Sequence, residues 1–106
     1  MSSNTELAES YLEDANYSLE EAKIAFSKCY YHRVVRRAQE CIELCIKALL
    51  RLYGIEYPKV HEVSSMLIRI KDKLPEWFKN QIDFIIEASI SLAMQRGPSF
   101  YGDEYK

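Results

Sequence analysis

Residues that form tight turns are scarce in this chain, which has three glycines and three prolines among 106 residues. An all-β domain of this length would need more turns than they can supply. Basic charge is not in excess either, because the formal net charge is -2. No apolar run approaches the roughly 18 residues that a membrane span needs. We therefore expect neither a β fold, nor a membrane span, nor a positive field over the whole surface, so any nucleic-acid site must be local.

Disulfide chemistry is not expected, since the chain has three cysteines, an odd number, and no pattern of a secretory signal precedes them. The predicted location is the reducing cytoplasm. Cys41 and Cys45 lie one helical turn apart, but a metal ion at that spacing would need two further ligands, and the two histidines are poorly placed. We predict small, buried apolar side chains at both positions, with no metal and no cofactor.

Helical periodicity dominates the remaining sequence, of which 48% is apolar and 28% charged. This balance fits one folded domain over residues 1–106. A first amphipathic helix is predicted over about 4–28, with its N-cap among residues 2–5. Its inward positions recur at intervals of three and four residues: Ala8, Tyr11, Ala15, Leu19, Ala22, Phe26 and Cys29.

A second helix is predicted over about 31–53, with apolar residues around more than half of its circumference. Glu43 and Lys47 form a favourable i, i+4 pair on its polar side, and Gly54 can end the helix in a left-handed conformation. A helix on a small core needs only one apolar stripe. This helix must be covered from two sides, by the rest of the chain or by a partner.

The rest of the sequence predicts a third helix over about 60–73 and a fourth over about 76–95. Pro75 suits the start of the fourth helix, with Trp77 toward its inner side, and Gly97-Pro98 is expected to end it. The predicted architecture is an all-α, up-and-down four-helix bundle with a short C-terminal tail.

Two stretches, "AQECIELCIKALLRLYG" and "VHEVSSML", carry an ordered set of residues that resembles the HEPN family (higher eukaryotes and prokaryotes nucleotide-binding). The matching residues are Ala38, Gln39, Glu43, Lys47, Ala48, Leu49, Leu50, Gly54 and His61. The resemblance spans nearly the whole chain. It implies a HEPN-like bundle that forms a homodimer through its central helices. The wide apolar arc of the second helix agrees with that expectation.

Many HEPN proteins are metal-independent ribonucleases, which use an Arg followed four to six residues later by a His. The His takes the proton from a 2′-hydroxyl, and the Arg stabilises charge on the phosphate. In this chain no His follows Arg96, and neither His32 nor His61 stands four to six residues after an Arg. We therefore expect a protein that is not an enzyme. The alternative is a ribonuclease toxin with an atypical site built from Arg96 and one of the two histidines.

A basic turn at the start of the second helix is the best candidate for binding a nucleotide or RNA. It holds His32, Arg33, Arg36 and Arg37, and Arg pairs with phosphate through two parallel hydrogen bonds. The alternative is a solvated face partly neutralised by Glu40. Arg96 and His61 are further candidates, although His61 also suits a structural role. A second basic group, Arg69, Lys71 and Lys73, follows on the third helix.

Two tyrosines near the C-terminus, Tyr101 and Tyr105, suggest a modification site. Some members of the family pair with a minimal nucleotidyltransferase, which silences them by attaching nucleotides to a Tyr near the ribonuclease motif. Ordinary aromatic packing is the alternative. The resemblance thus predicts a non-catalytic dimeric interaction or nucleotide-binding module, paired with a nucleotidyltransferase as in toxin–antitoxin systems. A structural helical adaptor without a ligand is the remaining alternative.

Overall fold

The computed structural model describes residues 3–56 and 64–100, with the backbone alone at 65 and 96–100. Helix α1 spans Asn4–Ser27 and helix α2 spans Tyr31–Leu52. Two short 3₁₀ segments follow at Ser64–Arg69 and Lys71–Lys73, then α3 at Glu76–Lys79 and α4 at Ile82–Phe100. The described residues contain no strand, so the all-helical prediction is confirmed. Within these ranges, none of the helices combines the length and the apolar character needed to cross a membrane.

A capping box fixes the start of α1. The Ser3 hydroxyl accepts a hydrogen bond from the Glu6 backbone N–H at 3.1 Å, and the Ser3 N–H donates to Glu6 Oε1 at 3.3 Å. These two bonds satisfy donors that the first helical turn leaves free. At the other end the chain reverses through Cys29, whose φ of 62° lies in the left-handed region. Cys29 was predicted to lie on the inward face of α1. It lies instead exposed in the turn.

Helices α1 and α2 form a hairpin joined by small side chains. The buried residues of α1 are Ala8, Ala15, Ser18, Ala22 and Ala25. Small side chains let two helix backbones approach closely, but each buries little apolar area. The larger predicted inward residues Leu19 and Phe26 are exposed. These two side chains are therefore not part of the buried face of α1.

The main core lies on the other side of α2. It is formed by Ile46, Leu50, Leu67, Ile70, Leu74 and Ile82. Four of these side chains are fully excluded from solvent. Helix α2 is thus the central layer, with α1 packed on one side and the 3₁₀ segments and α4 packed on the other.

The third and fourth helices differ from the prediction in their type and in their boundaries. Ser64, Leu67 and Ile70 are all fully buried and recur every three residues, which is the period of a 3₁₀ helix. The described part of the predicted third helix is therefore two 3₁₀ segments. The predicted fourth helix is divided at Asn80–Gln81 into α3 and α4, and Trp77 on α3 is exposed instead of inward.

The C-terminal end of α4 also differs from the prediction. The helix continues through Gly97 and Pro98 to Phe100, so Pro98 removes one backbone hydrogen bond without ending the helix. The predicted tail is accordingly helical over 97–100, and 101–106 lie outside the described residues. Three long helices, and not four, form the frame of the described chain.

Truncating the central core residue tests this layer order. We expect Leu50→Ala to lower the free energy of unfolding by about 2–5 kcal/mol, because a fully buried Leu leaves a cavity in the core. Ile24→Ala, on the exposed side of α1, should change it by less than about 0.5 kcal/mol. Urea denaturation followed by circular dichroism measures both. Equal losses in the two variants would contradict the assigned core.

Candidate functional site

The basic turn occupies the first two turns of α2 and divides into two parts. His32 and Arg33 are exposed. The preceding residue Tyr30 forms no side-chain cap, and the first turn of α2 holds no acidic residue. Helix N-termini carry unsatisfied N–H groups and partial positive charge. These features make the outer part of the turn, His32 and Arg33, locally positive and open to an anion.

Arg37 belongs instead to the contact between the two helices of the hairpin. Its Nη1 lies 2.9 Å from Glu40 Oε2, and its Nε lies 3.7 Å from Glu21 Oε2 on α1. The buried Ser18 hydroxyl donates to the other Glu40 oxygen at 3.3 Å. Arg36 is half-buried and also has an interaction partner. The inner pair of arginines is therefore engaged within the protein, and Arg37 ties α2 to α1.

The other predicted site residues are not brought to this turn by the described structure. Arg96 lies on α4, where only its backbone is described. His61, Tyr101 and Tyr105 lie outside the described residues. The arrangement of the site therefore depends on His32–Arg37.

The second basic group lies at the opposite end of α2. The Tyr53 hydroxyl, just beyond α2, donates to the Lys73 carbonyl oxygen at 3.4 Å. The 20 residues from Arg33 to Tyr53 span about 30 Å of helix at 1.5 Å per residue. In this group Lys71 also pairs with Asp83, at 3.5 Å. The two basic groups therefore do not form one binding surface within a chain.

Aromatic side chains stand exposed beside the outer part of the basic turn. Phe26, Tyr30 and Tyr31 are all exposed, and the rings of Phe26 and Tyr31 meet edge to face at 6.1 Å. A hydrogen bond with Cys29 raises the pKa of the Tyr31 hydroxyl. Tyr30 and Tyr31 are therefore not core residues. Exposed rings beside Arg33 offer flat surfaces on which a base can stack.

A polar network on α2 is a feature that the sequence analysis did not identify as a site. Gln39 is buried, with 2% of its surface exposed, and its Nε2 donates to Glu43 Oε2 at 2.6 Å. Lys47 Nζ lies 3.1 Å from the other Glu43 oxygen, which confirms the predicted pair. Gln39 and Lys47 each have further interactions. The predicted polar side of α2 is thus partly enclosed, which the i, i+4 spacing alone does not reveal.

An open apolar groove runs along α2 between α1 and α4. Its volume is about 620 Å³. The α2 residues at its floor include Ala38, Cys41, Ile42, Cys45, Leu49 and Leu52; its walls include Ala8, Leu12 and Leu19 of α1 and Ile85 and Leu92 of α4. We call this surface the α2 groove. The described residues therefore cover α2 from two sides and leave a third apolar side open.

Both thiols of the Cys41–Cys45 pair reach the α2 groove. Cys41 is half-buried and Cys45 is exposed, so the prediction of two buried residues is wrong. Desolvation by neighbouring atoms is the main cause that raises the pKa of Cys45, to about 11. The charge of a Cys41 thiolate and a hydrogen bond between the two side chains raise it further. The Cys41 side chain thus lies close enough to influence the ionisation of Cys45.

Comparison with known proteins connects this fold to a family. The family model for the HEPN domain matches residues 8–106. The chain belongs to the HEPN family. A protein of Methanocaldococcus jannaschii named "Putative toxin MJ1304" is 30% identical over 107 residues, which cover 95% of this chain and 70% of that protein. No solved structure matches the chain.

A double-mutant cycle measures the coupling free energy of the Arg37–Glu40 ion pair. The two side chains are each 37% exposed, so solvent screens the pair and we expect a coupling of only about 0.3–1 kcal/mol. Urea unfolding of Arg37→Ala, Glu40→Ala and the double variant gives this value. Arg33→Ala combined with Glu40→Ala is the matched control, with expected additivity. A coupling of zero for Arg37 and Glu40 would show that their ion pair does not stabilise the hairpin.

Proposed function

We propose that this HEPN protein is a non-catalytic, dimeric nucleotide-binding module of a toxin–antitoxin pair. The open α2 groove is the observation that carries the proposal, because it leaves an apolar surface that the described chain does not cover. The name of the M. jannaschii relative supports the toxin–antitoxin setting. The cytoplasm is the proposed location.

A second copy of the chain is the proposed occupant of the α2 groove. The groove follows one central helix of 22 residues, about 33 Å long. A strip on one helix can meet its own copy across a two-fold axis, where the same patch serves both subunits. Apolar side chains such as Leu12 and Leu52, now 46% and 52% exposed, would become buried there. Their burial provides the hydrophobic stabilisation of the dimer.

The outer face of α4 is the proposed contact for a partner protein such as a nucleotidyltransferase. Ile68, Ile90 and Met94 line an open depression of about 760 Å³ on this face, together with Asp83 and Glu87. Phe84 is exposed on the same helix. This surface is separate from the α2 groove, so a dimer leaves it accessible. Tyr101 and Tyr105 follow α4 in sequence and remain the proposed modification sites.

The proposed ligand is a nucleotide or a short RNA at His32 and Arg33. Arg33 supplies positive charge and the His32 ring a hydrogen-bond donor beside the exposed rings of Tyr30 and Tyr31. Arg36 and Arg37 serve mainly to hold this turn in place, since both are engaged within the protein. A ribonuclease would need a general base near an Arg in the family spacing, which the sequence lacks.

Light scattering tests the dimer. At micromolar concentration we expect about twice the chain mass of 12.4 kDa. Leu12→Glu places a charge in the α2 groove and should give a monomer, because an unpaired carboxylate resists burial. Tyr17→Glu, on the exposed outer side of α1, is the matched control and should remain dimeric. A monomeric wild type, or a dimeric Leu12→Glu variant, would overturn the proposed interface.

Calorimetric titration with ATP and a short RNA tests the ligand site. We expect Arg33→Ala to weaken binding about tenfold or more, because a hydrogen bond to a charged group contributes about 1.5–3 kcal/mol. Arg69→Ala removes an exposed Arg near the opposite end of α2 and should bind as the wild type does. Equal affinity in all three proteins would rule out this site.

The same RNA samples show whether the protein is catalytic. We expect the RNA to remain intact with the wild type, since no Arg-to-His pair has the ribonuclease spacing. Cleavage by the wild type that is lost in His32→Ala or His61→Ala would establish the ribonuclease alternative instead.

A further inference from the structure

The proposed function gives no role to the two thiols in the α2 groove. Cys41 and Cys45 are one turn apart on α2, both line the groove, and both are free thiols. Side chains at i and i+4 of a helix have Cβ atoms about 5–6 Å apart. A disulfide needs Cβ atoms about 3.5–4.5 Å apart, so α2 would have to distort to join this pair. The helix therefore keeps two thiols side by side in reduced form.

We propose that Cys41 and Cys45 form a two-thiolate binding site for a soft, thiophilic cation of the copper(I) type. At the zinc–thiolate bond length of about 2.3 Å, taken as a guide, two metal–thiolate bonds placed in line separate their sulfur atoms by about 4.6 Å. That separation suits side chains whose Cβ atoms stand about 5–6 Å apart. An ion coordinated by two thiolates thus fits the undistorted helix, whereas a disulfide does not.

The coordination number selects the class of ion. Among the described residues, no group of three or more His, Cys, Asp and Glu side chains could hold a metal ion. Zinc in structural sites takes four ligands, so one chain does not offer it a complete site. Soft thiolate ligands favour copper(I), which accepts two-coordinate geometry. The apolar residues around the pair, among them Ile42 and Leu49, supply no competing oxygen or nitrogen ligand from their side chains.

Electrostatics within the pair favours a cation over two bare thiolates. Two thiolates one helical turn apart repel each other. A monovalent cation between the sulfur atoms offsets that repulsion. In the binding step two S–H bonds break, two metal–sulfur bonds form and two protons go to solvent, so a copper(I) ion and two thiols give a complex of charge -1. No electron is transferred.

Competition with a chromophoric copper(I) chelator under anaerobic, reducing conditions tests this site. The full chain should take one copper(I) per chain. Cys41→Ser and Cys45→Ser should each lower the affinity at least a hundredfold, because one thiolate cannot form the two-coordinate complex. Cys29→Ser is the matched control: its thiol lies exposed in the turn between α1 and α2, and its loss should leave the affinity unchanged.

Three results would overturn the proposal: unchanged affinity in Cys41→Ser or Cys45→Ser, loss of binding in Cys29→Ser, or zinc(II) bound as tightly as copper(I). Circular dichroism of each variant checks folding, and Cys→Ser changes little volume. A double variant, Cys41→Ala with Cys45→Ala, gives a second measurement if a serine variant fails to fold. Both thiols belong to one chain but line the groove that the second copy is proposed to fill, so copper(I) binding is also measured on the monomeric Leu12→Glu variant. Failure of that variant to bind copper(I) would also overturn this inference, whereas a monomeric wild type that binds copper(I) would disprove the proposed dimer alone.

Discussion

Burial of Ile46 and Leu50 between α2 and the C-terminal part of the chain is the constraint on which the structure depends. These two residues meet Leu67, Ile70, Leu74 and Ile82, and together they form the main core. The contact fixes one side of α2. The hairpin with α1 then fixes a second side through Ser18, Glu40 and Arg37. The open groove and the exposed basic turn are what these two contacts leave uncovered.

The fold was predictable where local chemistry determines it. The capping residue Ser3 and the helix-ending Gly54, with φ 71°, could both be identified from sequence. The wide apolar arc of α2 also correctly indicated a helix with more than one covered side. The 3₁₀ segments were missed because Leu67 and Ile70, three residues apart, satisfy both a 3₁₀ helix and an α-helix. The additional signal was Ser64, a buried polar residue in the same period.

The sequence predicted where the candidate site lies. It did not predict which of its basic side chains are exposed and which are engaged within the protein. The sequence places His32, Arg33, Arg36 and Arg37 within two helical turns, but their spacing does not show which of them have partners. Glu40 is three residues from Arg37 and was recognisable as a partner. Glu21 belongs to α1 and lies 3.7 Å from Arg37 only because the hairpin closes. Arginines with similar local surroundings in sequence therefore acquire different roles through tertiary packing.

The small side chains between α1 and α2 make the stability of the molecule uneven. Alanine and serine dominate the buried face of α1, whereas leucine and isoleucine fill the main core. Apolar stabilisation scales with buried area, so the buried face of α1 contributes less apolar stabilisation per residue than the main core does. Such a helix separates at a lower free-energy cost than global unfolding requires. Backbone amides of α1 should then exchange with solvent before those of α2 near Leu50. The α1 side of the α2 groove is accordingly the side that can move most easily.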